Sequence, residues 1–266
     1  MTTAARPTGW KNYDDFALGI ATNRLPSSEA LAGRTLRLAL PATTLTLHPQ
    51  AGNVLQWSEE GERAGRGSGW YGAVPTTETT WFIDLTLADR PDEALTLIVD
   101  TASLRVLAVR STILDAAVAG GDPRVTQHFM AGTLGDETVR ASGEVPAPTR
   151  DLIGLRTAQT YSPNHTYEHT YLNSQRYAWQ CLIGVQRGHG AVDLASYWRF
   201  AKDQYIFTFR EFLIPVASVF FFDFASGRST GKFLGLTGEG RISNSPAGAF
   251  MRKCSVTTYP PGEEPV

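Results

Sequence analysis

The chain has 266 residues, of which 42% are hydrophobic and 19% are charged, and 24 Lys and Arg against 26 Asp and Glu give a net charge of -2. This balance lacks the basic surplus of nucleic-acid-binding proteins, so nucleic acid is excluded as a partner. No apolar run approaches the roughly 20 residues that span a bilayer, and no apolar signal segment is readable, so we expect a cytoplasmic protein with no membrane partner.

Alternating apolar and polar residues, bounded by Gly, Pro, Asn and Asp, recur along the chain and predict an all-β protein. In the first half the predicted strands are Thr35–Leu40, Thr43–His48, Thr79–Leu87, Ala94–Asp100 and Leu104–Thr112. The Gly-rich stretch Gly61–Gly72 is interpreted as a break between strands. Ser27–Leu31 is interpreted as a short helical turn with a serine N-cap.

The second half carries a fuller set of strand patterns. The predicted strands are Leu155–Tyr161, Tyr167–Asn173, Tyr177–Val185, Leu194–Ala201, Tyr205–Leu213, Val216–Phe224, Thr230–Leu236 and Phe250–Thr258. A polar, proline-containing segment, Ser142–Arg150, separates the halves and predicts domains 1–145 and 146–266. Eight antiparallel strands can close a barrel that holds one small ligand. We therefore expect two tandem antiparallel β-barrels, with a pair of β-sandwiches as the alternative.

An internal repeat links the two halves. Thr79–Leu87 aligns with Asp203–Glu211, and the run that ends at Asp100 aligns with the run through Asp223. Several polar residues of the second half fall on leucines of the first half. The second half is therefore expected to hold the functional site, and the first half to be a packing partner or a lid.

Two short motifs are rejected as cofactor or metal sites. Gly227–Phe233 resembles a phosphate-binding loop but has one residue too few between its glycines, and Phe233 stands where a magnesium-binding Ser or Thr is needed. His165 and His169 lie four residues apart on a predicted strand, and no third ligand completes a metal set. The sequence also lacks a nucleophile elbow and a dinucleotide fingerprint. We expect neither a metal nor a cofactor.

The fifth predicted strand of the second half carries a candidate catalytic carboxyl group. Because side chains alternate along a strand, one face presents Tyr205, Phe207, Phe209 and Glu211. If that face lines a barrel, its apolar surroundings raise the pKa of Glu211 toward that of a useful general acid or base. The alternative is that Glu211 pairs with a cation on a neighbouring strand, or that Arg210 and Glu211 are rim charges.

Further polar residues extend the candidate site. Alternation along Leu155–Tyr161 places Gln159 and Tyr161 on the same face of the strand. We expect these two side chains to converge with Gln180 and Glu211 on one cavity. Burying four such groups is costly unless they are hydrogen-bonded, which favours a ligand site over a core. The substrate-binding set is completed by Tyr167, His169, Tyr171, Tyr205, Phe207, Phe209 and Arg210. The alternative for His169 is a structural group with satisfied hydrogen bonds.

Three segments resemble the molybdenum cofactor biosynthesis protein F (MoaF) family. They are Phe16–Leu38, Thr166–Gly190, and the stretch from FREFLIPVAS through STGKFLGL. The resemblance runs over nearly the whole chain and implies two tandem lipocalin-like (calycin) barrels. The family name does not establish a reaction.

A more distant resemblance, to the phenolic acid decarboxylases, covers about Leu152–Leu236. These are cofactor-free enzymes on the same type of barrel. By position, their catalytic glutamate falls on Glu211 and one of their substrate-binding tyrosines on Tyr161. Gln159 stands at their second tyrosine position and Gln180 at their catalytic arginine position. The resemblance therefore implies proton transfer by Glu211 but does not imply decarboxylation of a phenolic acid.

These observations predict a cofactor-independent lyase or isomerase. It would hydrate, dehydrate or cyclise a small conjugated or aromatic substrate, or move its double bond, with Glu211 and Tyr161 as catalytic residues. The alternatives are a non-catalytic lipocalin-like protein that binds a small hydrophobic or aromatic ligand, an accessory protein of molybdenum cofactor biosynthesis, and a scaffold whose barrels are filled by their own side chains. The oligomeric state is left open.

Overall fold

A computed structural model describes residues 7–116 and 123–266 of the chain; residues 1–6 and 117–122 lie outside this description. It confirms the expected all-β fold of two tandem, closed, eight-stranded antiparallel barrels. One compact unit is formed by Leu25–Thr112 and Gln127–Ala147. The other contains the described residues up to Arg24, those of Ile113–Thr126, and Pro148–Val266. No helix in the described ranges is long and apolar enough to cross a membrane.

The first barrel consists of eight strands that pair in sequential order. They are β1 (Leu36–Leu40), β2 (Thr43–Pro49), β3 (Val54–Gly61), β4 (Gly65–Pro75), β5 (Thr80–Leu87), β6 (Arg90–Asp100), β7 (Arg105–Ile113) and β8 (Val125–Leu134). A short 3-10 helix, Ala51–Asn53, joins β2 to β3. The barrel closes between β1 and β8, where Leu38 is opposite Leu134.

Strand β4 runs through the Gly-rich stretch, so the predicted break there is wrong. Gly69 is required because a Cβ atom there would clash with the Thr86 carbonyl oxygen, and two further glycines lie against the indole of Trp57, on β3. A Cβ atom at Gly67 would stand 3.3 Å from the Trp57 indole nitrogen, and one at Gly65 would stand 3.4 Å from its ring. Glycine is unfavourable in a strand in isolation, but here it makes room for a large buried ring.

The leucine positions of the repeat suggested an apolar interior for the first barrel. This interior, however, also contains buried charged side chains. The buried guanidinium of Arg110 donates to Glu59 at 2.6 Å and to Glu93 at 3.3 Å. Arg90 donates to the second oxygen of Glu59 at 2.6 Å, and Arg63 donates to Glu93 at 2.5 Å. Both buried carboxylates are thus paired with cations, and this network lies beside the apolar core of the barrel.

The second barrel confirms the eight strands predicted for it. Its elements are a two-residue strand β9 (Ala147–Pro148), then β10 (Leu155–Ser162), β11 (His165–Asn173), β12 (Arg176–Ile183), β13 (Gly190–Ala201), β14 (Gln204–Arg210), β15 (Val216–Asp223), β16 (Arg228–Leu236) and β17 (Ile242–Val256). Strands β10 to β17 pair in order, and pairing of β10 with β17 closes the ring. Strand β9 adds to β13.

The internal repeat corresponds to equivalent strands of the two barrels. The aligned segments are β5 and β14, the fifth strands, and β6 and β15, the sixth strands. The domain boundary between residues 145 and 146 stays a prediction.

A short helix, α1 (Tyr13–Ala17), lies with the second barrel although it precedes the first barrel in sequence. The Asp15 carboxylate accepts a hydrogen bond from the Asn12 N–H at 2.8 Å, which stabilises the helix start. Ser27–Leu31 forms no helix and only its end lies in a turn, so the helical turn predicted there is wrong, and α1 was not predicted.

Candidate functional site

The inner face of the second barrel is dominated by aromatic side chains. Phe207 and Phe209 of β14 belong to its buried core, as the alternation on this strand predicted. Phe207 packs edge-on against Tyr177 with ring centres 4.9 Å apart, and stacks on Phe222 at 5.4 Å. Aromatic contacts of this kind fill much of the barrel interior, and an open space adjoins them.

That space is a cavity of about 30 Å³ inside a depression whose total empty volume, open mouth included, is about 390 Å³. It is lined by Phe16, Ile20, Tyr161, Tyr167, His169, Tyr177, Trp179, Gln186, Phe209, Glu211 and Phe233. Both residues predicted as catalytic therefore line one cavity. Among the described lining residues none is Lys or Arg, so the surroundings suit a neutral ligand.

Glu211 directly follows β14 and is buried, with 6% of its surface exposed. Its charge is close enough to affect two tyrosines of the cavity. Burial raises the pKa of Tyr177 well above its usual value, and the charges of Asp193 and Glu211 raise it further. Burial also raises the pKa of Tyr167, with smaller contributions from neighbours that include Glu211. A carboxyl group thus lies beside phenol hydroxyls that stay protonated.

A buried polar atom of the cavity lacks a protein partner. Within residues 7–116 and 123–266, Nδ1 of His169 has no hydrogen-bond partner. Unpaired buried polar groups are costly, which favours a site that a polar ligand atom completes.

His169 is a neutral base in this environment. Burial lowers its pKa from 6.5 to about 3, because an imidazolium ion would be poorly solvated there. Its ring packs edge-on against Tyr177 at 5.3 Å and Tyr171 at 6.3 Å. A neutral imidazole can both donate and accept a hydrogen bond.

Two hydrogen bonds hold other walls of the cavity in place. The Tyr167 hydroxyl donates to Oε1 of Gln186 at 2.8 Å. The Trp179 indole donates to the buried carboxylate of Asp193 at 2.8 Å. Burial raises the pKa of Asp193, and the N–H groups of Trp179 and Phe212 act in the opposite direction. These contacts fix the orientation of Tyr167 and Trp179.

Two of the four residues expected to converge do not reach the cavity. Gln180 lies on the outer face of β12, where it donates to Glu168 at 2.7 Å, so its predicted convergence with Glu211 is wrong. Gln159 does point into the barrel, but its amide donates to Thr157 and accepts from Ser229 at 3.1 Å. Gln159 is therefore a satisfied core residue away from the cavity lining.

Of the other predicted substrate-binding residues, Tyr167, His169 and Phe209 line the cavity, and four more lie in the core or at the surface. Tyr171 and Phe207 are fully buried in the aromatic core and do not line the cavity. Tyr205 lies at the start of β14, partly exposed, and donates to Asp151 at 3.2 Å. Arg210 faces outward near Ser196. These four residues are not placed to contact a ligand in the cavity.

Comparison with known proteins assigns the chain to a family. Residues 8–115 match the family model described as the MoaF N-terminal domain, and residues 146–257 match the MoaF C-terminal domain. The chain belongs to the MoaF family. Protein MoaF of Klebsiella aerogenes is 44% identical to it over 119 residues, which are 44% of this chain and 45% of the relative. In that match the chain spans less than half the length of this curated relative.

Among solved structures, a protein of Burkholderia vietnamiensis described as a "putative beta-lactamase" aligns over 41% of this MoaF-family chain and 100% of its own, with 16% identity and a TM-score of 0.35. The beta chain of DNA polymerase III from Streptococcus pneumoniae aligns over 91% of this chain and 82% of its own, with 8% identity and a TM-score of 0.14. Both TM-scores are too low to indicate a shared overall fold.

Sequence reasoning missed several lining residues of this MoaF-family protein. Tyr177 and Trp179 lie on the face of β12 opposite Gln180. The aromatic character used to orient β14 would have selected that face. Gln186 lies in the loop after β12, and Phe16 and Ile20 come from a segment that is more than a hundred residues from β10. No local pattern indicates that these residues share a cavity with Glu211.

Proposed function

We propose that the second barrel catalyses a cofactor-independent proton transfer, of the lyase or isomerase type, on a small, neutral, conjugated or aromatic substrate. The observation that carries the proposal is the position of Glu211 and Tyr161 in one aromatic-lined cavity. A carboxyl group and a tyrosine hydroxyl that line one mostly apolar cavity can supply general acid or base chemistry.

Each polar lining residue has a defined part in this proposal. Glu211 donates or accepts the proton, and the Tyr161 hydroxyl orients a substrate oxygen. Neutral His169 supplies a second hydrogen bond, while Phe209 and Tyr167 contact the faces or edges of a planar substrate. Gln159 and Gln180 take no part, because their side chains are engaged elsewhere.

The charge of the lining favours a neutral substrate over a carboxylate. A substrate carboxylate would lie near Glu211 with no Lys or Arg among the described lining residues to balance it. Two like charges in a poorly solvated cavity repel each other strongly. This supports a reaction on an enol, a phenol or a conjugated carbonyl compound, and disfavours decarboxylation of a phenolic acid.

The test begins with a ligand screen. A panel of neutral conjugated phenols, enols and enones is screened for thermal stabilisation, since a ligand that binds only the folded state raises its stability. A pterin is included because the family is named after molybdenum cofactor biosynthesis. Compounds that stabilise the protein are then followed for turnover by absorbance and NMR.

The Glu211→Gln variant then separates chemistry from binding. We expect turnover to fall by about 10²–10⁴-fold while affinity for the ligand changes little. Glu168→Gln is the matched control. Glu168 belongs to the same barrel and is also buried, but its side chain lies on the outer face of the sheet, where it forms an ion pair with Arg156. Full activity in Glu211→Gln would contradict the proposed role. Binding without turnover in the unaltered protein would instead indicate a lipocalin-like binding protein.

A further inference from the structure

One wall of the cavity is supplied by the segment that precedes the first barrel. Within this segment, which we call the N-terminal segment (Trp10–Arg24), the side chains of Phe16 and Ile20 line the same cavity as Glu211. They are 5% and 1% exposed. The Phe16 ring packs edge-on against Phe233 of β16, with ring centres 5.7 Å apart. The binding site is therefore built from two parts of the chain that are distant in sequence.

Hydrogen bonds fix the N-terminal segment to the barrel on both sides of Phe16. On one side, the Asp14 carboxylate accepts from the Gly238 N–H at 2.8 Å. On the other, the Ile20 carbonyl accepts from Gly248, and the Asn23 N–H donates to the carbonyl of Tyr161 at 2.9 Å. These hydrogen bonds thus fix the position of the segment relative to the residues that we propose to act on the substrate. The position of Phe16 above the cavity follows from these contacts.

The size of the enclosed space makes this wall important. About 30 Å³ holds roughly two water molecules, whereas an engineered cavity that binds benzene measures about 150 Å³. A bound aromatic ring must therefore extend from the cavity into the surrounding depression. The other lining residues lie mostly on strands that are paired on both sides within the closed barrel. The N-terminal segment, like Gln186 in the loop after β12, lines the cavity from outside the strands of the sheet. Its apolar side chains therefore affect how much room an aromatic ring finds.

We propose that Phe16 and Ile20 are specificity-determining residues that set the size of the ligand in the second barrel. This inference rests on the proposed function, because it assumes that the cavity binds a small aromatic molecule. Removing the ring of Phe16 leaves the polar groups of Glu211, Tyr161 and His169 unchanged and enlarges the space beside them. A variant without this ring is therefore expected to prefer larger ligands of the same chemistry.

The test compares two neutral probes that differ by one fused ring, phenol and 2-naphthol. Their dissociation constants are measured by calorimetry with the full chain and with Phe16→Ala. The control is Leu18→Ala, because Leu18 adjoins the same helix but is 74% exposed and is not among the lining residues. Phe16→Leu is measured as well, since it removes the ring with a smaller loss of packing.

We expect the affinity for 2-naphthol relative to phenol to rise at least about tenfold in Phe16→Ala, and less in Phe16→Leu, since small changes in pocket size alter discrimination by this order. Leu18→Ala should match the unaltered protein. Binding with the same ratio in every folded variant would overturn the inference and leave the proposed function standing. No binding of either probe to any variant would overturn both.

Discussion

The neutral imidazole of His169 gives the folded protein a defined dependence of stability on pH. Burial lowers its pKa from 6.5 to about 3, while in the unfolded chain the same group titrates near its ordinary value. Between these two values the unfolded chain binds a proton that the folded chain does not. Acid therefore favours unfolding in this window, and the contribution of His169 to stability is complete only above about pH 6.5.

The magnitude follows from the width of the window. Each pH unit inside it changes the free energy of unfolding by about 1.4 kcal/mol for one proton. Going from pH 7 to pH 5 crosses about one and a half units of the window, so His169 alone should lower the free energy of unfolding by about 2 kcal/mol. Replacing His169 by Phe removes the titrating group and keeps an aromatic ring against Tyr171 and Tyr177.

The assay is urea denaturation at several pH values between about 4.5 and 7.5, followed by fluorescence. The quantity of interest is the difference in pH dependence between the unaltered protein and His169→Phe, because other groups act as well. Asp193, whose pKa is raised, favours the folded state toward low pH and so opposes His169. Tyr171→Phe is the control for altered packing, since this phenol does not titrate in the range.

We expect the unaltered protein and Tyr171→Phe to lose about 2 kcal/mol more than His169→Phe between pH 7 and pH 5. Equal pH dependence in all three proteins would refute the reasoning. An NMR titration of the His169 ring with a midpoint near the ordinary value would refute it directly.

Two further predictions concern buried polar contacts. Arg110→Met removes the cation shared by two buried glutamates in the first barrel and should lower the free energy of unfolding by about 3–5 kcal/mol. Arg37→Met, which breaks an exposed ion pair, should lower it by less than about 1 kcal/mol in the same urea experiment. Equal losses in the two variants would argue against the buried network. Asp193→Ala leaves the Trp179 indole N–H without its acceptor and should cost about 1–3 kcal/mol with a shift in tryptophan fluorescence. Asp193→Asn keeps an acceptor, so a comparable fluorescence shift in that variant would contradict the assigned contact.

Local patterns were sufficient for most of the second barrel. The alternation along β14 correctly grouped Phe207 and Phe209 on one face with Glu211, because side-chain direction along a strand depends only on the period of two. Arg210, which was expected to bind the substrate, lies on the opposite, outward face. In the first barrel the same approach missed β3, β4 and β8. Strand β4 was missed because its glycines lie against residues of neighbouring strands, Thr86 on β5 and Trp57 on β3, which the local pattern of β4 does not show.

Choosing the inner face of β12 required information from other strands. Its two faces carry Gln180 on one side and Trp179 on the other, and alternation alone does not say which is buried. Closing the barrel turns the aromatic face inward, because it removes the larger apolar area from water. Gln180 then pairs with Glu168 on the outside, where hydrogen-bonding partners are available.

The sequence by itself determined the all-β class, the repeat of the two barrels and the presence of a carboxyl group on an aromatic strand face, since all of these are written in local alternation. Only the tertiary structure decided which polar residues share the cavity and that Phe16 helps to close it. The physical reason is distance along the chain: the hydroxyl of Tyr13, next to this wall, donates to the carbonyl of Phe233, 220 residues away. Contacts of that separation depend on how the barrel closes, which no short segment specifies.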